Sequence, residues 1–225
     1  MINWQDIDTV LLDMDGTLLD LHFDNFFWTQ HLPKRYTDIH GGDLEDITQT
    51  LIDRIMSERG SLNWYCLDYW SSELKLDITA LKEEIAHLVR PFPSTAGFLS
   101  ALHHSHCDTW LVTNAHRGGL NIKLRQTDLQ KWMTHIVSSH DLAAPKEDPK
   151  FWERLQKMQS FDPDRSLLID DTATVLDAAA KFGIRHLLTL TQPDSSQTIR
   201  DTSTLSYPAI HGFDEILPIM SRKVS

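Results

Sequence analysis

Cysteine is scarce in this chain, and so is the positive charge that binding to nucleic acid requires. Two cysteines, Cys66 and Cys107, occur among 225 residues. They are too few and too far apart for a disulfide framework or a structural zinc site, so both are expected to be reduced thiols. Lysine and arginine total 21 against 32 acidic residues, which gives a net charge of −11. That balance argues against nucleic acid or an anionic membrane surface as a partner.

Long hydrophobic runs are also missing. No window of the sequence approaches 18 consecutive apolar residues, which argues against a membrane-spanning helix. The first six residues, Met-Ile-Asn-Trp-Gln-Asp, contain neither a basic region nor an apolar signal core. With 41% hydrophobic and 24% charged residues, the composition is that of an ordinary soluble globular protein, and we expect it in the cytoplasm.

Histidine is plentiful, at 12 residues, and raises the question of a transition-metal site. His103, His104 and His106 form a cluster at the end of a helical pattern over 94–106. Cationic side chains at that position complement the helix dipole. We therefore interpret this cluster as structural.

Residues 10–17, Val-Leu-Leu-Asp-Met-Asp-Gly-Thr, are the most informative stretch of the chain. Three apolar residues predict a short buried strand that places Asp13 and Asp15 at its carboxyl end, where ligands bind in open α/β sheets. Aspartate and glycine also form ordinary turns. Two acids separated by a single residue repel each other, however, and indicate a hard cation such as Mg²⁺. Asp13 is in addition a candidate carboxylate nucleophile.

The patterns along the chain predict an inserted helical unit followed by alternating strands and helices. The segment 22–90 has little strand character, and prolines at 91 and 93 close it. The alternation beyond it is typical of βαβ units around a parallel sheet. Residues 192–206, rich in serine, threonine and aspartate, are expected either to form a surface loop or to be poorly ordered. Helices are predicted over 23–31, 43–59, 64–74, 78–89, 94–106, 117–127, 149–159 and 173–182, with helix starts at Asp43 and Thr79, and strands over 9–13, 110–114, 135–138, 166–170 and 186–190.

Three further polar motifs follow predicted strands or lie in a stiff loop. Thr113 and Asn114 end an apolar strand and can donate hydrogen bonds to an oxyanion. Lys146 lies between two prolines, where its ammonium can offset phosphate charge beside a carboxylate nucleophile. Asp170 and Asp171 end a third apolar strand, where adjacent acids are costly without a cation. Each motif has a simpler explanation when taken alone, as a strand end, a solvated lysine or a helix cap.

Taken in order, these motifs resemble those of the haloacid dehalogenase-like (HAD) phosphohydrolase superfamily. The resemblance implies an α/β fold with a Rossmann-like doubly wound parallel sheet as the core domain, residues 1–20 and 92–225. It also implies a small all-α, C1-type cap domain over residues 21–91, inserted after the first strand and closing over the site. Its implied cofactor is Mg²⁺.

The same resemblance assigns roles to the motif residues. Asp13 would be the nucleophile that forms an aspartyl-phosphate, and Asp15 the general acid and then the base. Thr113 and Lys146 would hold the phosphoryl group. The metal ligands would be Asp13, the backbone carbonyl of Asp15, and the acidic pair Asp170 and Asp171. In this superfamily, an aspartate two residues after the nucleophile indicates phosphate chemistry rather than carbon–halogen cleavage.

An aromatic segment suggests the leaving group. Residues 62–70, Leu-Asn-Trp-Tyr-Cys-Leu-Asp-Tyr-Trp, hold four large rings at helical spacing, and Tyr65 and Tyr69 are predicted on one face. The rings either pack the cap helices together or, at Trp64 and Tyr65, stack on a purine. With residues 11–25, 113–116 and 145–148, this segment resembles the bacterial GMP/IMP nucleotidases. That resemblance implies a purine 5′-nucleoside monophosphate as substrate, with Asn114 among the substrate-binding residues.

Other functions share the core motifs. A phosphatase for a sugar phosphate or phosphoglycolate and a β-phosphoglucomutase-like mutase remain alternatives. A binding module on the same fold is disfavoured because every catalytic motif is present. A phosphonate hydrolase, which needs a lysine nucleophile in the cap, is disfavoured because Lys34, Lys75 and Lys82 are expected to be exposed. The sequence does not indicate an oligomeric state.

Overall fold

A six-stranded, all-parallel sheet organises the protein, described here from a computed structural model that covers residues 2–219. The strand order is β3-β2-β1-β4-β5-β6. The chain therefore extends the sheet on one side of β1 with β2 and β3, and on the other side with β4, β5 and β6. This arrangement places a crevice at the carboxyl end of β1. The strands are β1 (Thr9–Leu12), β2 (Asp108–Thr113), β3 (His135–Ser138), β4 (Ser166–Ile169), β5 (His186–Leu190) and β6 (Ala209–Ile210).

The strands form because each is a short apolar run that both faces of the sheet can bury. All four residues of β1 and of β4 are buried. Side chains alternate along β1, so Leu12 packs in one hydrophobic cluster and its neighbour Leu11 in the other. One cluster contains Phe98 and Leu120, and the opposite cluster contains Trp152 and residues of the last helix. Helices on both faces confirm the predicted doubly wound α/β fold.

The helices of this sheet-bearing part begin and end close to the predicted bounds. The helices over 117–127 and 173–182 agree at both ends, whereas the predicted helix 94–106 ends at His103. Helix 149–158 is capped by Asp148, whose side chain accepts the Lys150 N–H. The four helices are α7 (Thr95–His103), α8 (Arg117–Thr127), α9 (Pro149–Met158) and α10 (Ala173–Phe182).

The segment between β1 and α7 is all helical, as predicted, but its division differs. The first predicted helix continues through a π-helical turn, Phe27–His31, into a helix with Pro33 in its first turn. The predicted helix 64–74 is interrupted at Cys66, whose ψ of 107° is extended. The predicted start at Thr79 is wrong, because Asp77 caps that helix. The helices are α1 (His22–Phe26), α2 (Leu32–His40), α3 (Leu44–Ser57), α4 (Leu62–Tyr65), α5 (Leu67–Leu74) and α6 (Ile78–Glu84).

The loop 192–206 is irregular, as expected, but part of it is built into the structure. Its Asp194 side chain is buried and accepts a hydrogen bond from the Asn25 amide at 2.6 Å. The Leu21 N–H donates to the carbonyl of Pro193. These contacts hold the loop against the start of the helical segment, beside the carboxyl end of β1.

Two further expectations concern membrane-spanning helices and the division of the chain into domains. Within residues 2–219, the structure contains no helix with the length and apolar character needed to cross a membrane. The division into a core of 1–20 and 92–225 and a cap of 21–91 stays a prediction, and its terminal residues 1 and 220–225 lie outside the described chain.

Candidate active site

Three carboxylates meet at the carboxyl ends of β1 and β4. The two strands pair in register, with Leu12 beside Ile169, so the residues that follow them are adjacent. One carboxylate oxygen from each of Asp13, Asp170 and Asp171 lies within 4.8 Å of the others. This set could hold a divalent metal, because hard cations prefer buried carboxylate oxygens. The structure therefore brings together three of the four predicted metal-site aspartates.

Lys146 joins these strand ends. Its ammonium donates to Asp13 Oδ1 at 2.5 Å, to Asp170 Oδ2 at 2.6 Å and to the Val112 carbonyl at 3.1 Å. The side chain is only 2% exposed, so its three hydrogen-bond donors all have acceptors inside the protein. Lys146 thus compensates two buried carboxylates and ties β1, β2 and β4 together at the site.

The pKa values of the aspartates in this cluster are raised, which favours their protonated, neutral forms. Burial raises the pKa of Asp13 to about 6 against the opposing effect of Lys146. Burial, together with the charge of Asp13, raises the pKa of Asp171 to about 7. Burial alone would lower the pKa of Lys146, but the two neighbouring carboxylates raise it well above its usual value. The site therefore carries more negative charge than Lys146 alone can stabilise.

Thr113 ends β2, Asn114 follows it, and both face the same site. The Thr113 hydroxyl accepts the Ala115 N–H at 3.0 Å, which leaves its own proton available to a ligand. The Asn114 amide oxygen accepts the Lys146 N–H at 2.9 Å, and its NH₂ donates to Glu147 Oε2 at 3.0 Å. Asn114 thereby fixes the loop that carries Lys146.

Asp15 belongs to a different set of contacts from the three-carboxylate group. Its Oδ1 lies 2.6 Å from the Lys123 ammonium, which also contacts Asp24 at 2.7 Å. Asp24 in turn contacts Lys82 at 2.6 Å. These four side chains form a row of alternating charge from the end of β1 into the helical segment. Burial raises the pKa of Asp15 to about 6, whereas the two lysines bring the pKa of Asp24 well below its usual value.

The expectation that Lys82 is exposed is wrong. The side chain is 3% exposed, and its ammonium lies 4.5 Å from the Phe27 ring centroid and 4.9 Å from that of Phe23. The aromatic faces and Asp24 together stabilise the charge that burial disfavours.

Gly16 and Arg200 complete the surroundings of Asp171. Gly16 has a φ of 81°, and a Cβ built there would lie 2.8 Å from the Asp171 carboxyl carbon, so only glycine allows this approach. The Arg200 guanidinium donates to the Asp171 carbonyl at 2.7 Å and lies 3.7 Å from its Oδ2. The loop 192–206 thus supplies a cation to the site.

A cavity of about 980 Å³ opens over these groups, between the sheet and the helical segment. Trp64 and Tyr65 are among its lining residues, and the Tyr65 hydroxyl donates to Glu147 Oε1 at 2.6 Å. The predicted common face of Tyr65 and Tyr69 is wrong, because the break at Cys66 separates them and Tyr69 donates instead to Glu58. Trp70 is fully buried and packs the helical segment.

Several contacts in this site gave no signal in the sequence. Glu147 follows the predicted Lys146, yet its partners Asn114 and Tyr65 lie 33 and 82 residues away along the chain. Lys123 lies in an ordinary helical pattern, and Arg200 in a loop without a motif. Each could have been found only by knowing which strand ends and helices lie side by side.

Comparison with known proteins gives matches over almost the whole chain. Residues 7–183 match the family model described as haloacid dehalogenase-like hydrolase. A protein of Escherichia coli (strain K12) named GMP/IMP nucleotidase YrfG is 40% identical over 217 residues, which cover 96% of this chain and 97% of that protein. A protein of the same name from Shigella flexneri matches with the same identity and coverage. The predicted resemblance is confirmed.

A solved structure shows the same fold. The HAD phosphatase from Thermococcus onnurineus superposes with a TM-score of 0.74 at 20% sequence identity, covering 93% of this chain and 96% of that one. At that identity the likeness concerns the fold alone. The family match, by contrast, spans Asp13, Lys146 and the acidic pair. The chain belongs to the haloacid dehalogenase-like hydrolase family.

Proposed function

We propose that this hydrolase is a Mg²⁺-dependent phosphomonoesterase that acts on purine 5′-nucleoside monophosphates through an aspartyl-phosphate. The observation that carries the proposal is the position of Asp13. Its Oδ1 is held by Lys146, and the residue lies beside two further aspartates on the wall of a large cavity. Phosphoryl transfer needs this combination of positioning and charge compensation.

The proposed reaction has two steps on this chain's residues. With Oδ1 held by Lys146, Oδ2 of Asp13 attacks phosphorus, and the bond from phosphorus to the 5′ oxygen breaks. Asp15 donates its proton to the leaving 5′ oxygen, giving the nucleoside. Asp15 then takes a proton from water, which attacks the aspartyl-phosphate and releases inorganic phosphate and free Asp13. Lys123 holds the Asp15 carboxyl at 2.6 Å during both proton transfers.

Mg²⁺ fits the residues present. Asp13, Asp170 and Asp171 provide oxygen ligands within 4.8 Å of one another, and the backbone carbonyl of Asp15 is a further proposed ligand. When bound, the ion would neutralise phosphate charge next to the nucleophile. Thr113 is proposed to donate its hydroxyl proton to a phosphoryl oxygen, and Lys146 to offset the phosphoryl charge. Asn114 fixes the loop that carries Lys146.

The size and lining of the cavity favour a nucleotide over a small sugar phosphate. Its volume of about 980 Å³ is at the upper end of the range for sites that bind drug-sized ligands. Trp64 and Tyr65 provide rings on which a purine can stack. The relatives from Escherichia coli and Shigella flexneri are named for GMP and IMP, which supports the same substrates here. We place the enzyme in the cytoplasm, where thiols such as Cys66 stay reduced.

Phosphate release from a panel of nucleoside monophosphates and sugar phosphates tests this proposal. We expect GMP and IMP to give the highest kcat/KM in Mg²⁺, and activity to disappear when a chelator removes the metal. Undiminished activity in excess chelator would contradict the metal requirement. Preference for a small sugar phosphate would retain the reaction and reject the nucleotide. Conversion of a sugar phosphate to its isomer without phosphate release would instead identify a mutase.

Replacing Trp64 by alanine tests the stacking role of the aromatic segment. We expect KM for GMP to rise roughly tenfold, because base stacking on an aromatic ring contributes about 1–3 kcal/mol, while KM for glycerol phosphate stays unchanged. The matched control is Tyr69→Ala, which removes a half-buried ring of the same segment whose hydroxyl donates to Glu58. Equal effects on both substrates, or equal effects of both variants, would assign Trp64 to packing of the helical segment.

A further inference from the structure

A second group of metal-ligand side chains lies beside the active-site cavity. Cys66, His116 and His140 each offer one ligand atom within 4.8 Å of the other two. They come from three separate parts of the chain: the break between α4 and α5, the start of α8, and the loop after β3. This group shares no residue with the three-carboxylate group.

His140 has a ring nitrogen left for a ligand, whereas neutral His116 would bind an ion through Nδ1, in place of the Gly118 N–H. His116 Nδ1 accepts the Gly118 N–H at 3.3 Å, and His140 Nδ1 lies 3.4 Å from the Ser139 hydroxyl. His140 Nε2 is buried and has no hydrogen-bond partner within residues 2–219. A buried nitrogen without a partner is rare in folded proteins and calls for an explanation. An ion bound between the two rings, whose centroids are 4.8 Å apart, would supply the partner.

The other ring nitrogen of His140 is also placed for this role, 3.4 Å from the Ser139 hydroxyl. The fixed Nδ1 contact is of the kind that orients metal-bound histidines.

We propose that Cys66, His116 and His140 bind a Zn²⁺-class ion that joins the helical segment to the sheet-bearing part of the enzyme. One sulfur and two imidazole nitrogens are ligands typical of zinc. Cys66 releases its thiol proton to solvent on binding. The Asp68 carboxylate, 3.5 Å from His116 Nε2, would accept the proton of that nitrogen, and a water would take the fourth position.

The packing around the group fits an ion that bridges these two parts. A Cβ built at Gly118 would lie 2.9 Å from the Thr79 hydroxyl, so α6 and α8 approach closely beside His116. Tetrahedral zinc requires ligand atoms about 3.5 Å apart. Side-chain rotations that move the ligand atoms by roughly 1 Å would therefore complete the site. His116 also lines the active-site cavity. A bound ion would therefore restrain the helical segment over the site.

Cobalt binding tests this site with a readout independent of turnover. In saturating Mg²⁺, which occupies the carboxylates, Co²⁺ is titrated into the full-length enzyme. We expect a thiolate-to-cobalt charge-transfer band that Zn²⁺ abolishes on displacing the ion. The band should be absent in Cys66→Ser and retained in the matched control Cys107→Ser. His140→Gln should weaken Co²⁺ binding at least tenfold.

Absence of the band in the natural enzyme would overturn the proposal, as would its persistence in Cys66→Ser or its loss in Cys107→Ser. Hydrogen exchange tests the bridging role in the same proteins. Zn²⁺ should slow amide exchange at the start of α5 and of α8 together in the natural enzyme, and in neither helix of Cys66→Ser. Slowing confined to one of the two helices would reject the bridge. These outcomes do not depend on the substrate proposed above.

Discussion

Asp13→Asn is expected to lower kcat for phosphomonoester hydrolysis by at least roughly 10⁴-fold, while the protein stays folded. Asparagine has nearly the same shape as aspartate, but its amide cannot form the acyl-phosphate on which the proposed reaction depends. The fold should survive because Asp170 still compensates the Lys146 ammonium at 2.6 Å. Steady-state phosphate release and circular dichroism measure the two expectations.

An acid-quench experiment links this loss to the proposed intermediate. With phosphate-labelled substrate, the natural enzyme should retain acid-stable label on the protein, and Asp13→Asn should retain none. The control is Asp164→Asn, an exposed carboxylate in the turn before β4, at the opposite end of that strand from the site. Labelled protein or appreciable turnover in Asp13→Asn would reject Asp13 as the nucleophile.

The fold could be predicted because its signals are local. Each strand of the sheet from β1 to β5 is an apolar run followed by a polar residue or a turn, and each helix between them has its own apolar face. The sequence patterns gave wrong element bounds where tertiary packing overrides the local preference of a residue. Pro33 suggests a helix end, yet it is tolerated in the first turn of α2. β6, with two residues, is too short to leave a pattern.

The candidate site was predictable at the strand ends and, from the ordered set of motifs, at Lys146. Asp13, Thr113 and Asp170 follow apolar runs, so a parallel sheet necessarily brings them together. Lys123, Glu147 and Arg200 reach the same cavity from a helix and two loops, and their partners are set by tertiary packing. The break at Cys66 was missed for a related reason, since residues 62–74 have helical spacing throughout. A cap formed by the Cys66 sulfur, which accepts the Tyr69 N–H at 3.4 Å, divides them.

Lys146→Met is expected to have the largest effect on stability. The substitution removes the cation between Asp13 and Asp170, which are 6% and 1% exposed, and leaves two carboxylates buried side by side. Breaking a buried ion pair by removing one partner costs about 3–5 kcal/mol. We therefore expect the free energy of unfolding to fall by about that amount in chelator, as measured by urea denaturation. Turnover should fall at least roughly 10³-fold.

Added Mg²⁺ separates the electrostatic cause from a packing defect. A cation bound to the same carboxylates should return part of the lost stability to Lys146→Met, because it binds the folded state alone. Repacking around methionine would not respond to the ion. Lys150→Met, an exposed lysine in the first turn of α9, should change stability by no more than about 0.5 kcal/mol. If Lys146→Met proved as stable as the natural enzyme in chelator, the carboxylates would not need this cation, and Lys146 would act on the substrate alone.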